Sequence, residues 1–168
     1  MNQTHTADQN VLDNETLTQM LESHARYHEP ARQDGQGREG QGREGQEAQL
    51  SLFSISDFDF SGLSLYDIHH IYNTTFHRCR FQRTDLFGVV FSEIAAPAAD
   101  FREAMLAKAE FHNSDLRGAN FDNANLLRVF FSDCDMRGAT FRGADLSCAG
   151  FTGNEIEGAV FDQPIDND

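Results

Sequence analysis

The sequence predicts an all-β solenoid, a chain that coils through short extended pieces and sharp corners. Three observations predict it. Apolar residues recur every five positions without a break from Phe76 to Phe161. Two positions before each sits a mostly small side chain, such as Ala99, Ala104, Ala109 or Ser114. Phenylalanine fills every second apolar position from Phe81 to Phe161, with Leu, Met, Ile or Ala between. A helix repeats every 3.6 residues and a strand every 2, so a five-residue step suits neither. The stripe drifts off any helix face within a few units, which sets aside a helical bundle.

The elements follow in order. Residues 1–29 form a polar N-terminal segment with a short helix over 16–28, in which Leu17, Met20, Leu21, His24 and His28 share one face. Thr16 and Gln19 have the spacing of a capping box with Thr16 as N-cap. So short a helix is marginal alone and is expected to dock, and His24 reads as a member of its buried stripe rather than a ligand. Residues 30–47 hold the tandem units GQGRE at 35–39 and 40–44. These units carry no apolar side chain and equal numbers of Arg and Glu, which reads as a flexible linker. The repeat occupies 48–163. Its first anchors are Leu50, Ile55, Phe60 and Leu65, and the step from Leu65 to Phe76 takes eleven residues rather than ten. One extra residue therefore lies near 66–75, as a bulge or corner adjustment. Residues 164–168 form an acidic tail, expected to shield the last coil weakly through Pro164 and its acidic neighbours.

The inward positions of the repeat are Phe81, Phe91, Phe101, Leu106, Phe111, Leu116, Phe121, Leu126, Phe131, Met136, Phe141, Leu146, Phe151, Ile156 and Phe161. Corners must separate the extended pieces if all anchors face one axis. Glycine stands two residues after an anchor at Gly118 and Gly138, among others, where it relieves turns with positive φ. In a four-sided coil, alternating Phe occupies two opposite sides and smaller aliphatics the other two, which fills the interior evenly. The stretch SEIAAPAAD departs from the pattern: Ala96 is a small anchor, Ile94 is large in a small slot, and Pro97 lacks a backbone donor. A locally irregular corner is expected there, with Ile94 compensating for lost volume.

The units AEFHN, SDLRG, ANFDN, ANLLR, ATFRG and ADLSC carry the pattern A(D/N)LXX. The chain thereby resembles the pentapeptide-repeat family of bacterial proteins over most of residues 48–163. The resemblance implies a right-handed quadrilateral β-helix with four pentads per coil. It also implies a non-enzymatic role in protein interaction or scaffolding. Some members of the family protect DNA gyrase or topoisomerase from quinolones by imitating duplex DNA, and a topoisomerase is thus an alternative partner. A bacterial effector is a further alternative.

Charge and surface pattern narrow these readings. The chain carries 27 acidic and 13 basic residues, a formal charge of −14, which disfavours direct contact with nucleic acid or an anionic membrane. No apolar run reaches membrane-spanning length and no secretion signal opens the chain. Three cysteines give no disulfide framework, so the cytoplasm is the expected compartment. With twenty residues per coil, Phe87, Ala107, Leu127 and Ser147 stack in one outward column flanked by Met105, and Val90 and Phe130 lie beside the adjoining corner. Phe87, Val90, Met105, Leu127 and Phe130 are therefore the candidate surface for a protein partner or self-association. Asp115, Asp135 and Glu155 stack beside Arg117, Arg137 and Glu157, a ladder of ion pairs in which the alternating signs imitate a phosphate backbone poorly. No cofactor and no metal is expected. His69, His70, His77 and Cys79 fit no zinc spacing, Cys148 has no basic partner to activate a thiolate, and convex stacked faces offer no cleft for catalysis.

Overall fold

The computed structural model describes residues 10–28, 48–66 and 68–167, with the side chains of residues 10 and 26–28 outside the description. The tandem GQGRE units and the expected place of His28 in the helical stripe fall outside the described residues. The elements run β1 (Asn10–Val11), α1 (Asn14–His28), β2 (Phe53–Ser56), β3 (His70–Tyr72), β4 (Thr75–His77), β5 (Val90–Ser92), β6 (Glu110–His112), β7 (Phe130–Ser132) and β8 (Gly150–Thr152).

The repeat folds as a four-sided β-solenoid. Strands β3, β5, β6, β7 and β8 pair in parallel in that order, with Phe91 beside Phe111 and Phe111 beside Phe131. That offset of twenty residues is four pentads per coil. On the other faces, apart from the parallel sheet β1-β2-β4 that opens the second, the extended pieces shrink to single parallel bridges, such as Asp115 with Asp135, Asn120 with Thr140 and Asn125 with Asp145. We number the faces by their anchors. The first holds Leu50, Ile71, Phe91, Phe111, Phe131 and Phe151; the second Ile55, Phe76, Ala96, Leu116, Met136 and Ile156. The third holds Phe60, Phe81, Phe101, Phe121, Phe141 and Phe161; the fourth Leu65, Leu86, Leu106, Leu126 and Leu146. Above the slip the coil offset is twenty-one, as in Ile55 beside Phe76, and below it twenty, as in Ile71 beside Phe91. The Ile68 N–H still closes a turn on the Leu65 carbonyl. The extra residue therefore sits between Ile68 and the anchor Ile71.

Two phenylalanine columns fill the interior. On the third face, Phe81, Phe101, Phe121 and Phe141 stack with ring centroids 4.8, 4.9 and 4.9 Å apart. On the first, Phe91, Phe111 and Phe131 stack at 4.7 and 5.0 Å. Across the axis the columns meet edge-on: Phe111 lies 6.0 Å from Phe121 at 82°, and Phe121 lies 5.8 Å from Phe131 at 78°. Stacked rings along the axis and edge-to-face rings across it are both favoured arrangements for the aromatic quadrupole. The alternation of Phe and aliphatic anchors is what allows this, because only opposite faces then carry rings. Near the first coil the roles exchange. Ile71 takes the first-face slot, and Phe76 enters from the second face to meet Phe60 and Phe81 edge-on at 6.0 and 5.2 Å.

The corners obey one rule. Two residues after the anchors Leu50, Ile55 and Phe60, and after every anchor from Ile71 to Ile156, the backbone has φ between 46° and 72°, whether the residue is glycine or not. Gly138 (φ 71°) and Glu103 (φ 57°) occupy equivalent corners. After the second-face anchors from Ala96 on, the third-face anchors through Phe141 and the fourth-face anchors, the next N–H closes the turn on the anchor carbonyl, as from Ala119 to Leu116, Ala124 to Phe121 and Val129 to Leu126, all at 3.0 Å. This is a type II turn. Pro97 corrects the expectation of an irregular corner. It occupies the position where proline is favoured in that turn, and the Ala99 N–H reaches the Ala96 carbonyl at 3.2 Å as elsewhere. Ile94 and Ala96 are both buried. The corner after the first face is different: small polar side chains hold it. Ser114 donates to the His112 carbonyl at 2.8 Å and accepts from the Ile94 N–H at 3.3 Å, while Asn154 donates to the Phe131 carbonyl and accepts from the Cys134 N–H, both at 3.0 Å.

Both ends are closed by neighbouring chain. β1 pairs in parallel with β2, and the Leu12 N–H donates to Ser54. Leu12, Leu17 and Leu21 are buried against the first coil. The N-cap of α1 is Asp13 rather than Thr16, because the Asp13 carboxylate accepts from the Thr16 N–H at 2.9 Å and from its hydroxyl at 2.8 Å. Pairing with β2 fixes residues 10–12 as extended chain, and Asp13 is the first polar residue able to turn it into the helix. At the other end Leu146, Ile156 and Phe161 are only partly buried. Ile165, not the exposed Pro164, packs there, and the Asn167 amide donates to the Asn154 carbonyl at 2.9 Å.

Candidate functional site

Outward positions are set by the same geometry. The residue before an anchor and the residue after it point out, and a polar residue in the first place has a specific task. The Asp or Asn side chain accepts the N–H two residues on: Asp85 from Phe87, Asp115 from Arg117, Asn125 from Leu127 and Asp135 from Arg137, all at 3.2 Å. This is why the repeat prefers Asp or Asn there. At Ala95 and Pro97 acceptor and donor are absent together.

On the second face Arg117 pairs with Asp115 at 2.6 Å and reaches Asp135 at 3.6 Å, while Arg137 pairs with Asp135 at 2.6 Å and Glu155 at 3.3 Å. The arginine in each case holds the carboxyl below its ordinary range through a hydrogen bond. On the third face Arg102 does the same for Asp100. These exposed pairs contribute roughly 0–1 kcal/mol each. Their chief effect is to neutralise the carboxylates locally.

The fourth face is different in kind. Tyr66, Phe87 and Leu127 are 49%, 39% and 36% exposed in one column, and Met105 is 46% exposed in the column beside it. The Tyr66 and Phe87 rings lie 6.0 Å apart, and Lys108 Nζ stands 5.2 Å over the Phe87 ring. Val90, half-buried, and Phe130, exposed, lie past the corner at the edge of the first face. The Phe130 ring lies over Gly150, where an added Cβ would meet it at 2.6 Å, and is 6.0 Å from the His112 ring. The five candidate residues thus divide into Phe87, Met105 and Leu127 on the fourth face and Val90 and Phe130 around the corner. Tyr66 extends the strip by one coil, because the extra residue follows Ile68 and leaves Tyr66 in the Phe87 column.

Convex faces do not account for the whole surface. A groove of about 590 Å³ lies between α1 and the first coil, lined among others by Leu21, Phe58, Leu63, Leu65 and Tyr66. Its one imidazole is committed to structure. His24 is buried, its Nδ1 accepts from the Ala48 N–H at 3.3 Å, and its Nε2 lies 3.2 Å from the Tyr66 carbonyl. The histidines near the slip do not converge: His70 contacts Ser92 on the first face, while His77 and Cys79 belong to the second. Among the described residues no three of His, Cys, Asp and Glu are placed to hold a metal ion. Burial pushes the thiols of Cys79 and Cys134 up to about 11. No helix among the described residues is long and apolar enough to cross a membrane.

Comparison with known proteins gives the following. Residues 91–161 match the family described as the pentapeptide repeat region. No curated protein matches the chain. Among solved structures, a trypsin-treated variant of QnrB1, a plasmid-mediated fluoroquinolone resistance protein, is 26% identical with a TM-score of 0.57, over 63% of this chain and 56% of that one. The chain therefore spans little more than half of the QnrB1 chain it matches. Rfr23, a pentapeptide repeat protein from the cyanobacterium Cyanothece 51142, is 19% identical with a TM-score of 0.54, over 68% of this chain and 88% of that one, a likeness of fold. A five-residue period unbroken from Phe76 to Phe161, four pentads to the coil, positive-φ corners and the family match agree, and residues 91–161 are a pentapeptide repeat region.

Proposed function

We propose that this chain acts by binding another protein, and that a type II DNA topoisomerase is the target the comparisons favour. The observation carrying the first part is the exposed apolar strip Tyr66, Phe87, Met105 and Leu127 on a rod whose adjoining third face carries paired Asp100 and Arg102 and whose opposite second face carries further Asp–Arg pairs. An aromatic and aliphatic strip bordered by polar groups suits a protein contact. It does not suit a phosphate backbone, which needs unpaired cations.

The second part rests on the likeness to the solenoid of QnrB1, a plasmid-mediated fluoroquinolone resistance protein. The net charge of −14 is compatible with a basic DNA-binding surface on the target. The local ion pairs argue for shape and apolar contact as the main source of affinity, with DNA-like charge secondary. General scaffolding through the same strip is the second reading, favoured by that local charge neutralisation.

The test is gyrase supercoiling with purified enzyme, with and without a fluoroquinolone, over a broad range of this protein's concentration. Binding predicts either inhibition of supercoiling or restoration of it in the presence of the drug. Phe87→Asp with Leu127→Asp should remove the effect while leaving far-UV circular dichroism unchanged. No effect of the unaltered protein at any concentration would reject the topoisomerase and leave scaffolding.

A further inference from the structure

The fourth face has two unlike edges. Its leading column, one residue before each anchor, runs Asp85, Met105, Asn125 and Asp145. Met105 is the protrusion there, 46% exposed. Its trailing column runs Phe87, Ala107, Leu127 and Ser147, and Ala107 is only 8% exposed between two exposed large side chains. That is a depression at the same coil level as Met105. Beyond the trailing column stand Lys108 and Arg128. Among the described residues, Asp85, Asp145, Lys108 and Arg128 form no ion pair, whereas nearby Glu103 is paired with Arg83 and Glu110 with His112.

We propose that this face is a self-association surface on which a second copy of the chain sits with its coil axis parallel to the first. A two-fold axis running along the face exchanges the leading and trailing columns at one coil level. Met105 of each copy then enters the Ala107 depression of the other. Asp85 of each copy faces the other's Phe87, over whose ring Lys108 Nζ already lies. Asp145 faces Ser147, one coil from Arg128, and coils stand roughly 4.8 Å apart. The antiparallel arrangement about the same coil fails on both counts: it sets Met105 on Met105 and the cationic edge on the cationic edge. Knob against hole and acid against base therefore select one arrangement.

The strip is short. Four coils span about 19 Å, well below the ~800 Å² per partner of a standard interface. The dimer is accordingly weak and concentration-dependent, with dissociation on the order of 10–100 µM.

The inference rests on the strip being a protein contact, and its test separates the two. Sedimentation equilibrium of the full chain, from micromolar to several hundred micromolar, should show the mean mass rising toward twice the monomer. Lys108→Glu with Arg128→Glu should stay monomeric, as should Asp85→Lys with Asp145→Lys. An equimolar mixture of the two should recover the dimer, because each then supplies the edge the other needs. Ala107→Gln, which fills the depression, should weaken association at least tenfold; it serves if an Asp variant fails a circular dichroism check of folding. A nitroxide on the exposed Cys148 should show the two labels at one coil level in the parallel dimer, whereas the antiparallel one about the Met105 coil sets them four coils, about 19 Å, apart along the axis. A chain that is monomeric throughout, a dimer indifferent to these substitutions, or labels set four coils apart would each overturn the proposal. If the chain is monomeric while Phe87→Asp with Leu127→Asp still abolishes the gyrase effect, self-association alone has failed. If the dimer forms and gyrase is unaffected, the topoisomerase reading alone has failed.

Discussion

Truncating one phenylalanine column at its middle and at its end should have unequal effects. Phe121 is 0% exposed and touches four rings: Phe101 and Phe141 stacked at 4.9 Å, and Phe111 and Phe131 edge-on at 6.0 and 5.8 Å. Phe161 belongs to the same column but is partly buried and touches two, Phe141 at 4.6 Å and Phe151 at 5.8 Å. A buried Phe→Ala change costs about 3–5 kcal/mol through lost transfer energy and the cavity left behind. Ring pairs add about 0.5–1.5 kcal/mol each beyond area, without strict additivity. Phe121→Ala therefore belongs at the upper end of that range, since stacked coils leave little room for the site to collapse. Phe161→Ala should cost less than half as much, because one side of its ring has no coil beneath it. Total stabilities of about 5–15 kcal/mol make the first change severe and the second tolerable. Equilibrium urea unfolding, followed by far-UV circular dichroism, measures both. Equal losses at the two positions would refute the idea that stability accumulates ring by ring along the columns.

Acid should act on the outward carboxyls. Asp100, Asp115 and Asp135 are lowered by hydrogen bonds from Arg102, Arg117 and Arg137, and Asp59 is held at about 2 by Ser61 and then Arg80. Depressed values mean that their stabilisation is complete above the ordinary carboxyl range, near pH 4, and is lost as pH falls through the folded values. The urea midpoint should drop below about pH 4, and Asp135→Asn should make that decline shallower. Thiol titration of the folded protein at mildly alkaline pH should find Cys148 reactive and Cys79 and Cys134 slow, since burial raises both to about 11, with all three reacting in denaturant. Pro97→Arg alone should lower stability by up to about 1 kcal/mol, since it adds an N–H without the usual acceptor and frees the unfolded chain. Joining it to Ala95→Asp rebuilds the pairing of Asp115 with Arg117 and should recover most of that loss in a thermal melt.

Legibility followed periodicity. The Phe columns, the small slots and the one-residue slip were all readable because each is a count along the chain. The SEIAAPAAD corner was misread because proline was judged by the donor it lacks, whereas the turn needs none at that place. The helix cap was misplaced by three residues: Thr16 and Asp13 are both plausible caps, and only the β1–β2 pairing decides where the helix begins. At the other end Ile165 and Asn167 gave no repeat signal at all. The groove beside α1 was invisible for the same reason, since Leu21, Phe58 and Leu63 come from segments with no shared period. The task of Asp and Asn before each anchor was concealed in a preference that read simply as polar.

By itself the sequence determined the coil. Five-residue spacing and alternating Phe leave one economical packing, with every anchor on a common axis and rings on opposite faces, because each slot sees only copies of itself one coil away. The three-dimensional arrangement decided everything that happens once. It chose the strand that covers the first coil, the residues that close the last, and the burial of Ala107 beside an exposed Met105. Those outcomes depend on contacts between unlike segments, and no regularity along a chain encodes a contact made only once.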